Sequence, residues 1–235
     1  MPILALDTAT LVSSVALATK DTLLAEITLQ TKKTHSELLM PHIAKLIDMA
    51  EVSKSDIKAV AVSIGPGSFT GLRIGLSTAK TLAYAMNIPL VGVPTLAAMA
   101  YGCPVPGVIL APMLDAQKGN VYQALFEWQQ GELREIQPAA VIKVDTALEQ
   151  LCQYDRPAVL LGEAAVIYRE EIKQIGKNLI LAPPHVIIQR AGSVADLGFK
   201  LLEQGVKHDA MSLEPLYIRR SEAEVLWERR QGISI

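Results

Sequence analysis

An apolar, β-branched run from Ala59 to Ile64 feeds the glycine-rich turn Gly65-Pro-Gly-Ser-Phe-Thr-Gly71, and the turn feeds a segment almost free of charge. Between Phe69 and Met86 the charged residues are Arg73 and Lys80 alone. Gly71, Gly75, Ala79 and Ala83 recur at every fourth position, which on a helix makes one ridge of small side chains. Leu72, Ile74, Leu76, Leu82 and Met86 surround it. A helix apolar on most faces has to be buried on most faces, and a sheet covers only one. Small ridges at i±4 admit a second helix at close range. The segment reads either as a helix packed by a further helix or as a core helix between two layers of one domain.

A glycine turn between strand and helix is also where a backbone cradles phosphate. Both common phosphate patterns are incomplete here. The P-loop spacing and its lysine are missing, and Gly71 comes one place late for a dinucleotide fingerprint begun by Gly65 and Gly67. The next strand candidate, Pro89 to Val93, carries no acid for a ribose. Ser68 has no His or acid near it in sequence to activate it and reads as the cap of the following helix.

With 22 basic and 24 acidic side chains and a net charge of −2, the chain has no footprint for binding nucleic acid on its own. Cys103 and Cys152 make neither a metal spacing nor a disulfide framework, which suits a reducing cytoplasm. The N-terminus lacks the basic region of a signal peptide. Residues 81 to 114 carry no charge, but five prolines and three glycines break them into pieces too short to span a membrane.

Ile3 to Asp7 reads as a strand ending in an acid, and Ser13 to Ala18 as its returning partner. The pattern recurs at Val108 to Asp115 and Val121 to Phe126, about half a chain later, which suggests two related halves. A third strand near Leu23 to Leu29 precedes a helix from His35 to about Ala50, opened by the capping box Thr34-His-Ser-Glu37 and expected to kink at Pro41. The second half reads as a strand at 139–144, a helix at 145–153 and a strand from Ala158 to Leu161. A helix from Ala164 to Ile175, a strand from Leu179 to Leu181, a helix from Ser193 to Gln204 and a last strand from Leu216 to Ile218 follow. The whole predicts α/β architecture with mixed sheets. Residues 219–235 form a tail carrying Trp227.

Asp7 and Asp115 each end a strand beside a turn, as do the acids that approach Mg²⁺ and phosphates in actin-like ATPases. With Thr8 and Thr10 they are the weak candidates for a nucleotide site, because Ala9 stands where glycine would expose backbone amides; capping of a turn explains Asp7 as well. His35 and His42 would lie about 10 Å apart along a helix, too far to share one metal.

These residues resemble the TsaB family, also called YeaZ, over nearly the whole chain. The carrying segments are Ile3 to Thr10, Gly65 to Gly75, Val91 to Leu96, Leu114 to Tyr122 and Glu214 to Arg219. The catalytic sister family, TsaD, holds a metal with two histidines one helical turn apart, and this sequence has no such pair. The resemblance implies two ribonuclease-H-like lobes of the actin-like ATPase superfamily, the second reduced. Boundaries are expected at 1–103, 104–218 and a tail at 219–235. It implies a non-catalytic cytoplasmic scaffold, without cofactor or metal, in threonylcarbamoyl transfer to adenosine 37 of tRNA. The implied partners are a TsaD-like catalytic subunit, a TsaE-like ATPase and, when alone, a second copy, with tRNA reached only through the complex. Partner contact is expected on the helices at 35–50 and 70–86. The first offers His35, Leu39, Ile43 and Leu46. The second offers Gly71, Leu72, Arg73, Gly75, Leu76, Ala79, Lys80 and Ala83. A degenerate ATPase or sugar-kinase-like enzyme is the alternative, and a metallopeptidase the more distant one.

Overall fold

The protein is described by a computed structural model covering residues 1–31, 34–176 and 178–219. Its first sheet contains β1 (Ile3–Asp7), β2 (Val12–Ala18), β3 (Leu23–Gln30), β4 (Ala59–Gly65) and β5 (Leu90–Pro94), in the spatial order 3-2-1-4-5. The second contains β6 (Ile109–Asp115), β7 (Asn120–Gln129), β8 (Glu132–Lys143), β9 (Ala158–Leu161) and β10 (Leu179–Leu181), in the order 8-7-6-9-10. Each sheet is an antiparallel meander of three strands extended by two parallel ones. The two orders are the same once each half is counted from its own first strand, so the repeated strand–Asp–turn–strand pattern reflects two lobes of one topology.

Side-chain size sorts the two faces of the first sheet. Leu4, Leu6, Val15, Leu17, Val60 and Val62 face one core, which they share with α1 (His35–Met49) and α2 (Phe69–Met86). Alternate positions, among them Ala5, Ala16, Ala59 and Ala61, face α8 (Ala191–Glu203). Period-two alternation puts the leucines on one side and most of the alanines, with Ile3, Val91 and Val93, on the other. The alanine face admits α8 so closely that a Cβ at Gly198 would lie 2.8 Å from that of Ala61. By packing, α8 therefore belongs to the first sheet although it lies beyond the expected boundary at 103/104. The short helix α3 (Thr95–Tyr101) sends Leu96, Met99 and Ala100 into the second core. The lobes thus exchange helices.

The second half carries α4 (Val144–Cys152), α5 (Glu163–Ile167), α6 (Arg169–Ile175) and α7 (Pro184–Ile187). Several expectations differ in detail. The helix expected at 164–175 is divided at Tyr168, and the strand expected at 139–144 is the end of the longer β8. Leu216 to Ile218 is not a strand; a single backbone bond, Leu216 N–H to the Ile64 carbonyl at 2.6 Å, ties it to β4. Pro41 lies on the exposed side of an uninterrupted α1. The tail beyond Arg219, including Trp227, lies outside the described residues.

Candidate functional site

β1 ends in Asp7, which is 1 % exposed. One step past the last paired residues of β1 and β4, Leu6 and Val62, Ser63 donates its hydroxyl to Asp7 Oδ2 at 2.5 Å. The Ala9 N–H donates to Oδ1 at 2.9 Å. Burial pushes the Asp7 carboxyl above its ordinary pKa, against the opposing pull of the Ser63 hydroxyl, the Ala9 N–H and the charge of His35. Both oxygens are held by protein donors of the acid's own neighbourhood.

The rest of the turn is engaged in the same way. Thr8 donates its hydroxyl to the Gly71 carbonyl at 2.7 Å, and Thr10 donates to Gln189 Oε1 at 3.0 Å. The Ala9 carbonyl accepts the Ser68 N–H at 2.6 Å, and the Thr10 carbonyl accepts from His35 Nε2 at 2.7 Å. The glycines make this contact possible. A Cβ at Gly67 would lie 2.3 Å from the Ala9 carbonyl oxygen, one at Gly71 2.0 Å from that of Thr8, and one at Gly75 2.3 Å from Thr8 Oγ1. The glycine segment therefore lies against the first turn and takes up its polar groups. Ser68 caps α2 by accepting the Gly71 N–H at 3.3 Å, as its position suggests.

The second lobe has a different arrangement. Asp115 ends β6, is partly exposed, and accepts the Gln117 N–H at 2.8 Å. Glu163 opens α5 beside it. Burial, then the charge of Asp115, pushes the Glu163 carboxyl up, while the Asp115 N–H pulls it down. Among the described residues, no group of three or more His, Cys, Asp or Glu is placed to hold a metal ion. None of the described helices is long and apolar enough to cross a membrane.

The expected partner residues divide into two sets. Leu39, Ile43, Leu46, Gly71, Leu72, Gly75, Leu76, Ala79 and Ala83 are buried in the chain's own core or against its own first turn. This corrects the expectation that they present themselves to another chain: the small ridge meets Thr8 and the sheet, not a foreign helix. His35 is half-buried and bonded to Thr10, while Arg73 is exposed and Lys80 partly so. The outward faces of the two adjacent helices carry other residues. Met40, Pro41 and Ala44 are exposed on α1, and Ser77, Thr81 and Tyr84 on α2. The helical positions between the ridge residues signal this face. Sequence reasoning misses Ser63, Gln189 and Glu163; for Ser63 the available signal is its register opposite Asp7 on the neighbouring parallel strand.

The family described as tRNA N6-adenosine threonylcarbamoyltransferase, TsaD, matches residues 22–227. The tRNA threonylcarbamoyladenosine biosynthesis protein TsaB of Bacillus subtilis (strain 168) is 32 % identical over 98 % of this chain and 100 % of its own. The solved structure of YeaZ from Pseudomonas aeruginosa superposes with a TM-score of 0.78 at 27 % identity, covering 92 % of this chain and 99 % of its own. An ADPNP-bound activator of 2-hydroxyisocaproyl-CoA dehydratase from Clostridium difficile, 13 % identical with a TM-score of 0.52 over 88 % of this chain and 99 % of its own, shares the fold alone. An actin-like ATPase fold of two lobes, full-length likeness to TsaB and a TsaD-type family match together show that the chain belongs to the TsaB (YeaZ) family, within the wider TsaD-like group.

Proposed function

We propose that this chain is a scaffold subunit, without catalysis of its own, in the cytoplasmic transfer of threonylcarbamoyl to adenosine 37 of tRNA. It stabilises a TsaD-like catalytic subunit, helps to recruit a TsaE-like ATPase, and pairs with itself when alone. It meets tRNA only through the complex and needs no cofactor. The observation that carries this reading is the filled first turn. Where an actin-like ATPase turns an acid, hydroxyls and backbone towards phosphate, Asp7, Thr8 and Thr10 are committed to Ser63, Ala9, Gly71 and Gln189. The same commitment weighs against the ATPase alternative.

The outer face of α1 and α2 supports the partner role. Met40, Pro41, Ala44, Ser77, Thr81 and Tyr84 are exposed uncharged positions on two adjacent helices, interleaved with the exposed Glu37, Lys45 and Asp48 of α1 and Arg73 of α2. Uncharged positions bordered by charged ones suit association, since interfaces combine a core depleted in charge with a polar rim. Size-exclusion chromatography of the chain mixed with its TsaD-like subunit tests this. Ala44→Glu and Ser77→Glu change exposed positions, so the fold is retained and the complex is lost. A complex that survives both substitutions would remove α1 and α2 as the docking surface.

A further inference from the structure

The last described stretch, residues 208–219, is irregular yet tied down along its length. His208 donates its N–H to the Leu90 carbonyl at 2.8 Å, and its ring Nδ1 accepts the Gly92 N–H at 3.2 Å. Lys80 Nζ donates to the Met211 carbonyl at 3.3 Å, and Leu213 is buried beside Gly92. Leu216 bonds to Ile64, and its carbonyl oxygen lies 2.8 Å from where a Cβ on Gly65 would be. Tyr217 stacks on Phe69 with centroids 5.1 Å apart, and its hydroxyl accepts from Arg73 Nε at 3.0 Å. The Arg73 guanidinium lies 3.9 Å over the Phe69 ring. Beyond these first-lobe anchors, the Arg219 guanidinium donates to the Ala116 carbonyl in the second lobe.

We infer that residues 208–219 are a clasp that holds the second-lobe turn after β6 against α2, with Phe69, Arg73 and Tyr217 as its catch. Parallel sheets open their ligand crevice at the carboxyl ends of their strands. The clasp joins two such ends, Gly65 of β4 and the residue after Asp115 of β6. It also explains the charges of α2. Arg73 and Lys80, the charged residues of that helix, both bind the chain's own C-terminal segment. The outer face of α2 and the position of the second-lobe turn are therefore mechanically linked through one segment.

Hydrogen exchange on the full chain tests this without any partner. The turn after β6 is reported by two amides, Ala116 N–H to the Asn120 carbonyl at 2.9 Å and Asn120 N–H to the Gln117 carbonyl at 3.1 Å. In Tyr217→Ala, exchange in a peptide spanning residues 113–121 should quicken about five- to tenfold, the scale of one lost hydrogen-bonded contact. Tyr217→Phe keeps the stack and should show a smaller change. Arg219→Ala, a substitution at the far end that leaves the first-lobe anchors in place, should quicken the same peptide and leave residues 64–72 unchanged. If Tyr217→Ala loses its fold, Arg219→Ala decides. Unaltered exchange at 113–121 in Arg219→Ala, with the segment 208–219 still protected, would show that the segment holds nothing in the second lobe and would overturn the clasp. The scaffold reading would stand in either case.

Discussion

The two lobes share a topology but treat the acid at the end of the first strand in opposite ways. In the first lobe Asp7 is sealed, both oxygens satisfied, under a glycine segment and an 18-residue helix. In the second, Asp115 stays partly exposed, and Gly162 leads into a helix of only five residues. Gly65 and Gly162 occupy corresponding places, at or just past the end of the strand that pairs parallel with its lobe's first, and each has positive φ, +119° and +92°. Beyond these two glycines the lobes diverge. Gly67, Gly71 and Gly75 let α2 descend onto the first turn, whereas the second lobe has Glu163 beside Asp115. One strand end has become core, and the other remains surface.

The largest expected effect breaks the sealed side. Gly71→Val would force a side chain into the Thr8 carbonyl, and the strain should cost about 3 kcal/mol or more in urea-induced unfolding, at the upper end of overpacking. Near-native stability would mean that α2 does not sit on this turn. Truncation beneath the same helix comes next. Leu76→Ala, at a position 4 % exposed, should cost about 2–5 kcal/mol, where an interface residue of a monomer would cost almost nothing.

A smaller effect separates the two acids by pH. Because the folded pKa of Asp7 is raised, the native state holds a proton that the unfolded chain has released. Stability from this group therefore falls as pH rises from the ordinary carboxylate pKa to the raised one, and stays lower above it. Asp7→Asn keeps the acceptor for Ala9 but cannot ionise, so that part of the decline should vanish and stability at neutral pH should rise or hold. Glu163→Gln removes a slope of the same sign, smaller because Glu163 is less buried. A larger change from Glu163→Gln than from Asp7→Asn would reverse the comparison. The smallest effect is expected from Thr81→Ala on the exposed face, within about 0.5 kcal/mol.

The strands are legible in the sequence because β-branched runs and Asp-ended turns are local signals. The repeat is legible because both halves keep the same order of them. The destination of the small ridge is not. Periodicity shows that Gly71, Gly75, Ala79 and Ala83 want a close neighbour, but the neighbour at its glycine end is Thr8, brought up by strand pairing from far along the chain. Only the end of β8 is visible in the sequence, because it is an edge strand with mixed exposure and Pro138 inside it, a residue that edges tolerate and interior strands do not. The segment around Leu216 has strand-like composition, but one backbone bond to β4 is all it makes there. The catch of Phe69, Arg73 and Tyr217 joins residues too far apart in sequence for any local pattern to reveal.

On the proposed reading, function lies on the outer face of α1 and α2 and not at the strand-end acids. Reconstituted threonylcarbamoyl transfer to tRNA, with the TsaD-like and TsaE-like subunits present, tests it most directly. Circular dichroism first confirms that each variant is folded. Ala44→Glu and Ser77→Glu should abolish most of the transfer, while Asp7→Asn and Asp115→Asn should keep it near the unsubstituted rate. Transfer that survives both outer-face changes but is lost in Asp7→Asn, with the complex still formed, would contradict the account and give the first-lobe acid a direct part in the chemistry.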